Sequence, residues 1–263
     1  MTTRFISLLL LAGAAELVIV TWLFLISKKM NNAGLIDTYW GASIASLAFL
    51  YAWATLGNHP RDLLGLAMVG LWSLRLGLHI HRRGRGHGED ARYTKLKEQW
   101  GARWPVRMYG FYLMQGVAAL LFSIPFLAAS LHPEPEIQPL EWFAAGLWLI
   151  AVLGEATADH QLERFKANPG NKKSPCKAGL WRFSRHPNYF FEWLTWCSFA
   201  LFAFSAPYGF LALICPVAMY HVLVNVTGIP KAEEQSLRSR GDAYRQYQKE
   251  TNAFFPWFPK KAA

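Results

Sequence analysis

Two groups of residues in this chain have the types and spacing for chemistry. The first is the run Arg185-His186-Pro187-Asn188-Tyr189-Phe190-Phe191-Glu192-Trp193. It packs a cation, an imidazole, an amide, a phenol and a carboxylate between a basic, Gly/Pro/Asn-containing loop and an apolar run. Pro187 suits the first turn of a helix, where its missing N–H would be unpaired anyway. That helix would turn its free N–H groups and positive dipole end toward the loop, which suits an anionic ligand. The same residues also suit a headgroup-level anchor, with Arg and Tyr at the water–lipid boundary. The second group lies in apolar surroundings. Glu16 sits near the middle of residues 5–26, and Asp37-Thr38-Tyr39-Trp40-Gly41 opens residues 35–56. An intramembrane carboxylate is costly and marks either a functional site or a structural hydrogen bond to a neighbouring helix. Arg75 and His79 are four apart and share a helical face.

The elements that must hold these residues are apolar helices. The chain has 263 residues, 53% of them hydrophobic and 15% aromatic, with twelve Trp. Crossing the hydrocarbon takes about 20 apolar residues. Such runs recur at 5–26, 35–56, 61–80, 108–131, 139–158, 189–204 and 210–226. The expected fold class is therefore all-α: a polytopic membrane protein of seven transmembrane helices, N-terminus outside and C-terminus cytoplasmic. A soluble helical protein would show amphipathic stripes instead. Residues 1–131 form a four-span half and residues 132–263 a three-span half. The first span lacks a strong basic n-region and a small-residue cleavage site, so it does not read as a removed signal peptide. Residues 81–107 read as a long polar loop. Its Gly-rich start is a poor phosphate cradle, since no GxGxxG follows a strand. Residues 168–183 form a second basic loop, and a polar helix follows Gly228-Ile229-Pro230.

The net charge of +10 would raise nucleic acid as a partner in a soluble protein. Here topology explains it. Apart from Arg4, Arg61 and Arg75, every Lys and Arg falls in the loops and tail that the seven-span count places inside, as the positive-inside rule requires. No nucleic-acid partner is expected; the partners are membrane lipids and a lipid-soluble small molecule, and a monomer is favoured. Cys176, Cys197 and Cys215 show no pair or metal-ligand spacing, and no metal site is expected. Both basic loops, the 188–192 stretch and the C-terminal helix meet on the cytoplasmic side. A ligand gathered there would be soluble and anionic, as a nucleotide cofactor is. Asp37, Tyr39, Arg75 and His79 lie toward the same leaflet, where a lipid-soluble substrate could meet it.

Gly179-Leu180-Trp181-Arg182-Phe183-Ser184-Arg185-His186-Pro187-Asn188-Tyr189, with Glu192, Gly228-Ile229-Pro230 and the stretch from Glu234 to Tyr247, resembles the C-terminal domain of the steroid 5-alpha-reductase family, and its bacterial branch most of all. Asp37-Thr38-Tyr39-Trp40-Gly41 and Gly88-Glu89-Asp90-Ala91-Arg92-Tyr93 resemble the same branch less specifically. The resemblance implies that the last spans hold NADPH and the first four enclose an apolar substrate. Asn188, Tyr189 and Glu192 match the family's cofactor-binding Asn-Tyr-x-Gly-Glu pattern, and Asp159 matches the acid before the second basic loop. Phe191 replaces the usual Gly, and its ring either narrows the approach of the nicotinamide or faces lipid. A rival resemblance is to isoprenylcysteine and phospholipid methyltransferases, which share the Arg-His-Pro-x-Tyr turn and a later Glu-Glu pair, here Glu233-Glu234, around S-adenosylmethionine. Asn188, Glu192 and the density of cations favour the reductase, because Arg suits bidentate phosphate contacts.

The implied reaction is reduction of a C=C bond conjugated to a ketone in a steroid-like lipid, with hydride from NADPH to the β-carbon. Charge develops on the ketone oxygen, so a donor must stand there. The candidates are Asp37 with Tyr39, and Glu16 in reserve. Trp40, Arg75, His79 and Gln115 are assigned to the substrate cavity. On the cofactor side, Lys173, Arg182 and Arg185 face phosphates, Asn188 and Tyr189 face the nicotinamide, and Arg164, Lys166 and His186 belong to the same site. Asp159 and Glu192 accept hydrogen bonds. Arg240, Tyr244 and Tyr247 close the site.

Overall fold

The computed structural model describes residues 1–55, 60–84 and 91–260. Its helices are α1 (Thr2–Met30), α2 (Leu35–Ala54), α3 (Pro60–Gly84), α4 (Ala91–Trp100), α5 (Trp104–Ser130), α6 (Pro139–Ala167), α7 (Pro187–Ala203), α8 (Ile214–His221), α9 (Ile229–Arg240) and α10 (Asp242–Glu250). No strand occurs among the described residues.

The buried stripe of α1 is more polar than its exposed side, and that inversion identifies the solvent. Phe5, Leu8, Ala12, Glu16, Val20 and Ser27 are buried, at the three- and four-residue spacing of one helical face. Leu10, Leu11, Leu17, Val18, Trp22 and Leu25 are exposed. A helix apolar on its outside, with its carboxylate turned inward, is built for lipid. α6 repeats the pattern: Glu141, Ala144, Trp148, Ala151, Glu155 and Ala158 are buried, while Trp142, Phe143, Leu149, Ile150 and Leu153 are exposed. Five segments are long and apolar enough to cross a membrane: Thr2–Met30, Pro60–His81, Tyr93–Ser130, Pro139–Ala167 and Gly209–Arg240. The chain is an all-α, multi-pass membrane protein.

The chain divides into two compact units. The first comprises Met1–Gln138 and Phe202–Ala212. Within it α2 packs on α3 and α5, and α1 packs on α5 and α2. Gly116 on α5 lets α1 come close, since a Cβ there would stand 3.1 Å from Val20 and 3.7 Å from a Glu16 carboxyl oxygen. Arg61 is fully buried, and its guanidinium donates to the carbonyls of Glu134 and Glu136. Residues 91–107 are not a loop. They form α4, a 3-10 turn and the start of α5, because Tyr93, Leu96 and Trp100 recur at helical spacing and pack with Met108 and Tyr112,.

The second unit comprises Pro139–Leu201 and Leu213–Ala263. The end of α6 packs on 3-10 turns at Pro169–Asn171 and Gly179–Arg182. Residues Val222–Val226 form a π-helical turn after α8, and α9 packs on that turn and on α10. Pro187 occupies the first turn of α7, as its missing N–H favours,.

Candidate functional site

In the first unit the chemistry gathers at Glu16. The residue is 3% exposed. Tyr39 Oη donates to Glu16 Oε2 at 2.9 Å, and Ser43 Oγ donates to Oε1. Tyr39 and Ser43 are four apart on α2, so one face of that helix delivers both donors. Tyr51 continues the stripe, and its hydroxyl pairs with Ser123 of α5 at 2.9 Å. The result is a buried carboxyl with both oxygens engaged, one of them by a phenol. Trp40 stands edge-on to Trp72 and Phe122, at 5.9 and 5.5 Å between centroids. Arg75 and His79 are half-buried one turn apart on α3, and Gln115 is half-buried on α5 beside Gly116. The Asp37 side chain lies outside the described residues, as do Gly88, Glu89 and Asp90. Of the sequence-derived candidates, the fold joins Glu16 to Tyr39. Ser43 escaped the sequence reading, although its spacing from Tyr39 was available as a signal.

In the second unit the turn before α7 is stitched in two directions. Toward α6, Asn188 Nδ2 donates to Asp159 Oδ1 at 3.2 Å, and Asn188 Oδ1 accepts the Tyr189 N–H at 3.1 Å. One amide therefore satisfies an orphan donor of the α7 N-terminus and links it to α6. Leu180 N–H donates to Gln161 Oε1 at 2.9 Å, and Trp181 Nε1 donates to the Ala158 carbonyl at 2.8 Å. Toward the C-terminal helices, Arg185 Nε donates to Glu233 Oε1 at 2.6 Å. Its Nη1 donates to the Gln248 carbonyl at 3.1 Å and to that of Thr251. Gln248 Nε2 donates to Glu233 Oε2 at 2.7 Å. The expectation that Arg185 faces a phosphate is corrected here: with its side chain 10% exposed, the guanidinium ties α9, α10 and the chain beyond them to the turn.

His186 is likewise enclosed, at 5% exposure. Burial holds its imidazole below the ordinary histidine pKa, against the raising pull of Glu233. On a neutral ring only the Nε2-protonated tautomer donates to Glu233 Oε1, 3.3 Å away,. The ring stacks on Tyr189 with a 7° interplanar angle and 5.4 Å between centroids. Glu192 accepts from Trp196 Nε1 at 2.9 Å along α7. Tyr244 and Tyr247 are buried rather than poised at an opening. Burial pushes the Tyr244 phenol up to about 12 and raises that of Tyr247 further. Tyr247 Oη donates to the Trp181 carbonyl and lies 3.3 Å from that of Ser184. Arg240 bonds the Ser174 carbonyl and Ser236, both at 3.1 Å. Arg164, Lys166, Lys173 and Arg182 are exposed. Phe191 turns toward α6, where a Cβ on Gly154 would stand 2.5 Å from its ring. A surface cleft of about 500 Å³ is lined by Phe165, Ser174, Pro175, Lys177, Ala178, Ala243 and Gln246.

Asn188 and Asp159 thus meet, with four exposed cations carried on the elements that flank them. That donor set fits an anionic group bearing amide and hydroxyl functions. Glu233 and Gln248 complete the cluster. The sequence signalled Glu233 only through the methyltransferase-like Glu-Glu pair, and it gave no signal for Gln248.

The chain is 27% identical to the uncharacterized protein C594.04c of Schizosaccharomyces pombe, over 88% of this chain and 74% of that protein. No solved structure matches it. A family model described as "Protein of unknown function (DUF1295)" matches residues 23–251, and the chain belongs to that family.

Proposed function

We propose that this protein is an NADPH-dependent reductase of a C=C bond conjugated to a ketone in a steroid-like lipid. The seven-span topology with the C-terminus in the cytoplasm is part of the same reading. One observation carries it: the Tyr39 phenol hydrogen-bonded to the Glu16 carboxyl at 2.9 Å inside apolar helices. With that carboxyl protonated, its O–H passes to the phenol oxygen and the phenol O–H turns to a substrate carbonyl. A donor preorganised in a dry site is worth far more than one in water. Bound NADPH supplies the hydride. Arg164, Lys166, Lys173 and Arg182 would meet its phosphates, and Asn188 and Asp159 would present an amide and a carboxylate to its ring or ribose.

Purified protein in nanodiscs should oxidise NADPH only when an enone lipid such as a 4-ene-3-ketosteroid is present. Tyr39→Phe should cut turnover by about 10²–10³ and leave NADPH affinity unchanged. Saturable binding of S-adenosylmethionine without NADPH binding would overturn the reading. That second reading, a membrane methyltransferase, is favoured by the joint contact of Arg185 and His186 with Glu233, the turn and acid on which its resemblance rests.

A further inference from the structure

We propose that residues 252–260 form a rigid membrane-surface anchor, seated in the headgroup layer of anionic phospholipid. The segment leaves α10 through an extended Thr251 and is strapped down along its length. Asn252 O accepts from Arg185 N at 2.9 Å, and Phe254 O accepts from Ser184 Oγ at 2.8 Å. Trp257 N donates to Phe183 O at 2.9 Å, and Lys260 N donates to Glu250 O at 2.8 Å. These bonds hold the chain in one course back toward the apolar helices.

Where that course leads is set by two aromatic rings. Phe254 packs against Trp193 at 5.8 Å and Tyr220 at 5.2 Å, and Phe255 against the same pair at 5.8 and 6.2 Å. Trp193 lies about 9 Å along α7 from Pro187, at 1.5 Å per residue. Tyr220 lies within the last apolar segment, Gly209–Arg240. Phe254 and Phe255 therefore sit against α7 and the apolar segment that carries Tyr220. Immediately beyond, Trp257 is 69% and Phe258 74% exposed, and Phe255 remains 51% exposed. Phe258 is held edge-on over Phe183 at 5.9 Å. In water these would form an uncovered apolar patch. Exposed Trp and Phe followed by Lys260, and in sequence by Lys261, are what a headgroup layer accepts, and the lysines answer anionic lipid.

The test uses the full chain in nanodiscs, with an environment-sensitive fluorophore on Trp257→Cys and, separately, on Phe258→Cys. Labelling of the parent chain is subtracted, and Arg238→Cys, on an exposed face of α9, is the water-facing control. Expected is blue-shifted emission, quenching by a headgroup-nitroxide lipid, and protection from aqueous iodide relative to position 238. Iodide quenching equal to that at 238 would overturn the proposal. So would protection from both quenchers, which would mean that protein, such as a second copy of the chain, covers the patch. If one variant does not fold, the other gives the same readout. Exchanging phosphatidylglycerol for phosphatidylcholine should increase iodide access; unchanged access would remove the anionic preference.

Discussion

Arg185→Met removes the tie between the α7 turn and the C-terminal helices while keeping most of the aliphatic stem. Lost are the bonds to Glu233 at 2.6 Å, to the Gln248 carbonyl at 3.1 Å and to the Thr251 carbonyl. The two charged side chains are only 10% and 16% exposed, so solvent screens them little. Removing one partner of a buried pair costs about 3–5 kcal/mol. Glu233 keeps Gln248 and His186 as partners, which places the loss near about 3 kcal/mol. Arg185→Met/Glu233→Leu should be less destabilised than the sum of its single changes, because the stranded carboxylate is gone. Equilibrium unfolding in mixed micelles, followed by near- and far-UV circular dichroism with coincident transitions, would measure both. An Arg185→Met protein within about 0.5 kcal/mol of the parent, the range of ordinary surface changes, would refute the tie. If that protein had also lost nucleotide affinity, Arg185 would be an open ligand.

Tyr39→Phe should lower enone turnover by about 10²–10³, the cost of one oxyanion donor, and Ser43→Ala should lower it less; steady-state kinetics at saturating NADPH checks both. His186 makes the second unit acid-sensitive. Burial depresses its pKa, so the unfolded chain takes up the proton more readily than the folded one,. The stability given by the neutral ring is full above the ordinary histidine value and lost as pH falls through the folded value. His186→Asn should flatten the acid limb of thermal stability, and an unchanged limb would remove His186 from it. Gly154→Ala should destabilise by about 1–3 kcal/mol through overpacking, and adding Phe191→Ala should relieve it in the same unfolding assay.

The helices and the start of α7 were legible because composition and one proline dictate them. Pro187 begins α7 for the reason its chemistry gives. The approach of Asn188 to Asp159 was anticipated only through the family resemblance, which assigns both to one cofactor site; residue types alone do not pair them. Arg185 was misread because a cation in a basic loop looks the same whether it awaits a phosphate or grips a carboxylate. Its partner Glu233 lies on a separate polar helix, and only tertiary packing names it. The α4 helix was hidden by the Gly-rich run before it, although Tyr93, Leu96 and Trp100 carried its period. The course of residues 252–260 depends on main-chain bonds, the Ser184 hydroxyl and the Phe254 and Phe255 rings, all meeting partners that spacing along the chain does not name.

Gly154 and Phe191 exchange volume across two helices: the bare backbone of one is the socket of the other. Such positions should be inherited as a couple: a glycine at 191 would free position 154 to carry a side chain, whereas a ring at 191 would oblige 154 to stay bare. Each column alone would look permissive; the constraint is visible only in joint variation, and a lineage crossing from one state to the other must pass through the small–small combination, with an empty socket, rather than the large–large one.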